Sequence, residues 1–320
     1  MRSSTPPTHL LTFSDQIYCF EICGNDFAYN LVCVAGDKKL TLGLIKFPEE
    51  SEADIFEWER LKDIYHESRC HGLTFAPETS LIVVPKTVMF CAAGADFMLR
   101  IFRTDLQNSD TVQTLKGHSN YINEIAWDNE GSYLASVSDD HSCKIWNAES
   151  HFESVTTFCL SSAGMSVKWH PEEPFKVMVA EKKGVIHLYN VRSQQAIMSV
   201  ESPKCPLMSA DWAMNNRLFI TALAGGDIIT WDLRKPCSPT DIKQVHEDGG
   251  RIIRFSPNSE MVVGSIGRPD ITLKVFASKS VVPLIETPLK LFGGMAWHHR
   301  LPYIGAAYDR KLCFWKVQIK

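Results

Sequence analysis

Residues 115–147, LKGHSNYINEIAWDNEGSYLASVSDDHSCKIWN, read as three short strands joined by two tight turns. Positions 121–127 carry apolar residues in both registers (Ile122, Ala126; Tyr121, Ile125, Trp127), which predicts a strand buried on both faces. Asp128-Asn129-Glu130-Gly131 predicts a turn, because Asx side chains bond their own backbone and Gly accepts a positive φ. A second strand is expected over 133–138, a tight turn over Asp139-Asp140-His141-Ser142, and a third strand over 143–147 around Trp146.

The unit recurs. The aromatic that closes the first strand returns at Phe75, Trp127, Trp169, Trp212, Phe255 and Trp297, with spacings of 52, 42, 43, 43 and 42. The aromatic of the third strand returns at Phe102, Trp146, Tyr189, Trp231, Phe276 and Trp315, with spacings of 44, 43, 42, 45 and 39. Two markers on one clock match the period of roughly 40–45 residues of four-stranded propeller blades. Pro77, Pro171 and Pro257 stand two residues after the first-strand aromatic, where a fixed φ suits a type I turn. The long first spacing predicts an insertion of about ten residues, placed within 78–89.

Six repeats therefore lie between His66 and Val317, and the N-terminal stretch is about one blade long. Its expected strands are 17–22, 31–35 and 40–47. The last repeat stops after its third strand, so 10–13 is expected to pair there and complete blade 7. The predicted fold class is all-β, a seven-bladed β-propeller spanning 1–320 as one domain. Residues 1–14 hold the closing strand, 15–65 form blade 1 with an acidic insert, and 66–320 form blades 2–7.

Composition agrees. Of 320 residues, 45% are hydrophobic and 8 are Trp, enough for a sizeable core. A net charge of -4 argues against direct binding of nucleic acid or an anionic membrane, both of which favour concentrated Lys and Arg. No apolar run of signal-peptide length opens the chain and none reaches the 18 residues of a span, so a soluble intracellular protein without membrane insertion is expected. Cysteines at 33, 91, 143 and 313 sit in strand-like runs, where free Cys acts as a small hydrophobe.

His118, a serine of the second strand (Ser138 ahead of Ser136) and Asp140 include the residue types of a nucleophilic triad. A His nine residues before the first-strand aromatic recurs at His66, His118 and His246. An Asp six before the third-strand aromatic recurs at Asp96, Asp140, Asp270 and Asp309. Catalytic groups have no reason to follow the blade period, so a structural role is expected, with no catalytic residue, cofactor or metal. His66, Cys70 and His71 lack a second ligand pair. Gly225-Gly226 and Gly293-Gly294 are not phosphate loops, and His298-His299 is expected as a solvated turn.

Residues 48–63, PEESEADIFEWERLKD, hold seven acidic residues against two basic ones. A solvated loop leading to an outer strand is expected, while Phe56 and Trp58, aromatics flanked by charge, are the candidate partner-binding residues.

Gly117-His118, the run Ser136-Val137-Ser138-Asp139-Asp140, and Trp146-Asn147 resemble the WD-repeat family, which usually has Trp-Asp at the last pair. The resemblance implies a buried hydrogen-bond tetrad of His118, Ser138, Asp140 and Trp146. Only this blade holds the full set: Phe102 and Phe276 lack the indole donor, Lys183 and Gly225 stand at the Asp position, and Pro288 at a His position.

Residues 164–202, GMSVKWHPEEPFKVMVAEKKGVIHLYNVRSQQAIMSVES, with PLMSADW from Pro206 and an insertion in the second blade, resemble the thirty-seven-kilodalton WD-repeat nucleoporins of the Y-shaped outer-ring complex. That resemblance implies a non-catalytic scaffold of the nuclear pore at the nuclear envelope, supporting pore assembly and the transport of protein and mRNA. It implies a monomeric subunit within a hetero-oligomer, docked on the large propeller-and-solenoid subunit, with kinetochore association in mitosis. Trp231-Asp232-Leu233-Arg234 resembles the WDxR box of substrate receptors of cullin-RING ubiquitin ligases, which supplies the alternative function.

Overall fold

The computed structural model describes residues 4–108, 110–213, 217–258, 262–277, 280 and 282–318. The expected limits 1–14 and 66–320 take in positions outside that set. Among the described residues every regular element is a strand, and no helix is long and apolar enough to cross a membrane.

Strand β1 (His9–Thr12) precedes blade 1, which is β2 (Cys19–Ile22), β3 (Leu31–Ala35), β4 (Lys39–Lys46) and β5 (Glu57–Tyr65). Blade 2 is β6 (Cys70–Phe75), β7 (Val88–Gly94), β8 (Leu99–Thr104) and β9 (Thr111–Leu115). Blade 3 is β10 (Ile122–Trp127), β11 (Tyr133–Ser138), β12 (Ser142–Asn147) and β13 (Glu153–Cys159). Blade 4 is β14 (Gly164–Trp169), β15 (Lys176–Glu181), β16 (Val185–Asn190) and β17 (Gln195–Glu201). Blade 5 is β18 (Leu207–Trp212), β19 (Phe219–Ala224), β20 (Asp227–Asp232) and β21 (Asp241–Gln244). Blade 6 is β22 (Gly250–Phe255), β23 (Val262–Gly267), β24 (Thr272–Ala277) and β25 (Ile285–Pro288). Blade 7 is β26 (Phe292–Trp297), β27 (Tyr303–Tyr308) and β28 (Lys311–Lys316), with β1 as its fourth strand.

These seven antiparallel meanders give the seven-bladed β-propeller fold. β1 pairs with β28 from His9↔Phe314 to Thr12↔Lys311, so the first strand of the chain occupies an edge that blade 7 would otherwise leave open. Blades 2–7 share a register shift two residues into their first strand, for example between Ile122 and Glu124 and between Gly164 and Ser166. A bulge at one fixed place in each repeat re-aims the residues that follow it.

The contacts divide the chain into two compact units. One is Gly117–Pro288, holding blades 3–6; its core is built from the period-2 inner faces of neighbouring sheets, such as Val137, Ile145, Val167 and Val179. The other is Thr5–Lys116 with Leu289–Gln318, holding blades 1, 2 and 7. In that unit Phe47 stacks on Tyr303 at 3.8 Å and packs with Phe314 and Ile45. The inserted residues after β6 form a loop pinned at its base by a bridge between Ser80 and Thr87. All ten cysteines are free thiols.

Candidate functional site

In blade 3 the turn before β10 delivers His118, β11 delivers Ser136, the β11–β12 turn Asp140, and β12 Trp146. Trp146 Nε1 donates to Ser136 Oγ at 2.9 Å, Ser136 Oγ lies 2.8 Å from His118 Nε2, and His118 Nδ1 lies 2.8 Å from Asp140 Oδ2. Burial keeps the His118 pKa below its ordinary value despite Asp140 beside it, so the ring is neutral. One arrangement then satisfies every group: indole N–H to serine oxygen, serine O–H to Nε2, and Nδ1–H to carboxylate. Asp140 also accepts from the Ser119 and Ser142 amides and the Ser142 hydroxyl at 3.0, 3.0 and 2.6 Å. Gly117 is required by close approach, since a Cβ there would stand 2.8 Å from the Trp146 ring.

Ser138 is not in this chain of bonds, which corrects the choice between the two serines. It lies opposite Ser142 at the turn end of β11, whereas Ser136 lies two residues from Leu134, the residue opposite Trp146. From there Ser138 Oγ donates to the Asn120 carbonyl at 3.1 Å and accepts from the Asp140 amide at 3.1 Å. Ser136 is fully buried and already bonded twice, so no substrate reaches it as a nucleophile.

The other blades keep the place and change the chemistry. In blade 2 Asp96 binds Arg100 at 2.6 and 3.1 Å in place of His66, whose Nδ1 faces the Ser68 carbonyl. In blade 6 His246 Nε2 reaches Ser265 Oγ at 3.1 Å. Blade 4 builds a substitute: Glu181 accepts from the Ser161 hydroxyl at 2.5 Å and the Ser162 amide at 2.8 Å, and bonds His187 at 2.9 Å. In blade 5 the buried Trp231 indole N–H has no hydrogen-bond partner among the described residues.

A second polar centre lies on the first strands of blades 3–6. Glu124 of β10 receives Arg254 of β22, Lys168 of β14 at 3.0 Å, the Ser166 hydroxyl at 2.6 Å and the Val167 amide at 2.9 Å. Burial alone would raise the Glu124 pKa, yet the cations of Arg254 and Lys168 hold it at about 2. Asp211 of β18 moves the other way. Burial raises its pKa, because its partners are the Phe255 amide at 2.9 Å and its own chain rather than a direct cation. Arg254 also donates to Ser209 Oγ at 3.2 Å and to the Ile253 carbonyl at 2.8 Å. Sequence reasoning missed this centre, though a signal exists: Lys168, Asp211 and Arg254 each stand immediately before the first-strand aromatic of their repeat.

Phe56 and Trp58 are corrected from exposed aromatics to partly buried packing residues. Phe56 stacks on His9 at 4.7 Å, and Trp58 meets Phe13 edge-on at 5.6 Å. Phe56 just precedes β5 and Trp58 lies within it, so the two, two residues apart, share the face of the strand that turns inward. His298 is likewise corrected from a solvated turn residue. It is fully buried, and its Nδ1 accepts the Arg300 and Leu301 amides at 3.3 and 2.9 Å. His170 does the same for the Glu172 and Glu173 amides. Arg234 of the Trp-Asp-Leu-Arg string folds back onto Asp232, Nε to Oδ1 at 2.9 Å and Nη2 to Oδ2 at 2.6 Å. No group of three His, Cys, Asp or Glu able to hold a metal occurs among the described residues.

Repeated four-stranded sheets, one of them carrying this tetrad, define a WD-repeat β-propeller, and the family model for the WD domain, G-beta repeat, matches residues 109–147. The likeness extends well beyond one repeat. The chain is 55% identical to nucleoporin Nup37 of Drosophila melanogaster over 325 residues, covering 100% of both. It is 38% identical to nucleoporin Nup37 of Mus musculus and of Homo sapiens over 296 residues, 91% of this chain and 90% of each relative. The chain belongs to the Nup37 nucleoporin family and is a component of the nuclear pore, with protein partners there.

Proposed function

We propose that the chain is a non-catalytic scaffold subunit of the outer-ring Y complex of the nuclear pore. It enters the complex as one copy within a hetero-oligomer, held by a large subunit that combines a propeller with a helical solenoid, and so supports pore assembly and transport. Correspondence with a nucleoporin along the whole chain carries the reading. A structural role for His118, Ser136, Asp140 and Trp146 supports it, since the Ser136 hydroxyl beside His118 is sealed inside a sheet. In mitosis the same complex takes the chain to kinetochores.

Affinity purification of the tagged full chain at mild salt tests the proposal. Outer-ring subunits should be recovered with it in near-equal amounts, and recovery of none of them overturns it. Fluorescence imaging should show the nuclear rim in interphase and paired kinetochore foci in mitosis.

A further inference from the structure

Blade 4 carries a chain of hydrogen bonds out to the surface, whereas the hydroxyl of the blade 3 tetrad is sealed. Glu181 closes β15 and His187 stands in β16, where the register sets it directly opposite Ser199 of the outermost strand, β17. Ser199 Oγ lies 2.7 Å from His187 Nδ1, and His187 Nε2 lies 2.9 Å from Glu181 Oε1. Burial falls off in order along this chain: the Glu181 side chain is 1% exposed, that of His187 21%, and Ser199 is on the surface.

The carboxylate fixes the ring. Its Oε2 accepts the Ser161 and Ser162 amides at 3.1 and 2.8 Å and the Ser161 hydroxyl at 2.5 Å, while Oε1 faces His187. Burial alone would raise the Glu181 pKa, yet these donors hold it below its ordinary value, so the group is a charged acceptor at neutral pH. A carboxylate only accepts, so the neutral ring carries its proton on Nε2 and turns the Nδ1 lone pair to the serine O–H. The Tyr189 ring packs against the imidazole with centroids 5.4 Å apart. Nucleophile, base and orienting carboxylate thus stand in bonded order, the arrangement that activates a hydroxyl.

We propose that Ser199 is a base-activated modification site that takes an acyl group from an activated ester or thioester. Ser199 Oγ attacks the acyl carbon while its proton passes to His187 Nδ1. The bond from that carbon to the leaving oxygen or sulfur then breaks, and the leaving group departs with the electron pair and collects the proton from Nδ1. Glu181 stabilises the imidazolium formed in between through its bond to Nε2–H. Ser199 lies on an open outer strand rather than in a sealed sheet, so the outcome is one acyl transfer per chain. The inference stands independently of the scaffold reading.

The test incubates the full chain with p-nitrophenyl acetate and follows acetylation site by site through peptide mass spectrometry. Ser199 should be acetylated at least about tenfold faster than Ser193, which is exposed in the turn between β16 and β17. His187→Gln should bring Ser199 down to the Ser193 rate. In Glu181→Gln the Ser161 and Ser162 amides hold the side-chain oxygen at the Oε2 place, so the NH2 faces His187 and drives the ring proton to Nδ1. The Ser199 rate should then fall as far as in His187→Gln, and proton–nitrogen correlation spectra of histidine-labelled protein should show the tautomer change, which a loss of packing would not produce. Ser199 reacting no faster than Ser193 in the unsubstituted chain, a comparison that needs no variant, overturns the proposal. So does an undiminished rate in His187→Gln.

Discussion

Glu124 and Arg254 stand 130 residues apart and meet as an ion pair between the first strands of blade 3 and blade 6. Lys168 and Ser166 of blade 4 hold the same carboxylate, and Arg254 continues to Ser209 of blade 5, so one network joins four consecutive blades. Glu124→Gln leaves two largely buried cations without their anion and should cost about 3–5 kcal/mol. Arg254→Met in the Glu124→Gln background should recover part of that loss. In a urea double-mutant cycle we expect a coupling of at least about 1.5 kcal/mol. Additive losses would mean that the pair does no more than its separate packing.

Trp146 and Trp231 occupy the same position in two blades, both buried, but among the described residues only Trp146 of the two has an acceptor. Trp→Phe removes equal volume at each. Trp146→Phe should therefore be the more costly by about 1 kcal/mol, the net worth of one satisfied bond plus the orphaned serine oxygen. Chemical denaturation of the two variants measures the difference, and equal losses would remove the energetic case for the tetrad.

Ser136→Ala should destabilise by about 1–3 kcal/mol, since it strips partners from both His118 and Trp146. Asp140→Ala should cost at least as much, because it releases His118 and the Ser119 and Ser142 amides. Neither variant should keep the wild-type melting temperature.

Burial pushes the pKa of His246 and of His298 down to about 4. The unfolded chain takes up a proton at each as pH falls through about 6.5, while the fold refuses it until about 4. Stability is therefore complete above pH 6.5 and lost as pH falls toward 4, by on the order of 2–3 kcal/mol per histidine. Glu124, held at about 2, stays charged through this window. Calorimetry from pH 7.5 to 4.5 should show the decline, and His298→Asn, whose amide oxygen sits where Nδ1 does, should flatten it. A profile with no slope counts against buried neutral histidines.

Deleting residues 1–14 removes β1 and leaves β28 with an unpaired edge, together with the bonds from Trp315 Nε1 to the Thr5 carbonyl and from the Phe13 amide to the Arg310 carbonyl. The melting temperature should fall by at least about 5 °C, readable by differential scanning fluorimetry. An unchanged melt would show that blade 7 holds with three strands.

Much of the architecture was legible because one period governs local and global structure together. The aromatics of the first and third strands lie in register across neighbouring strands, Leu134 facing Trp146 and Ile304 facing Trp315, so their spacing counts blades directly. Histidine and aspartate of the tetrad were legible for the same reason. The serine was not, because Ser136 and Ser138 point to the same side of β11 and only the lean of the Trp146 ring separates them. The burial of Phe56 and Trp58 was not legible, because charged neighbours give no sign of it: alternation lets a strand show charge on one side and bury aromatics on the other.

The number of sheets, where each begins, and the completion of the last sheet by the first strand are all written in local sequence. Repeat spacing, turn residues and alternation act within some 45 residues and need no knowledge of the rest. Which polar groups meet is set by three-dimensional packing instead: Glu124 with Arg254, Glu181 with His187, Asp96 with Arg100 rather than His66. Side-chain bonds form within about 3 Å, and the positions of residues from separate strands to that tolerance follow from sheet twist, bulges and packing that no spacing encodes.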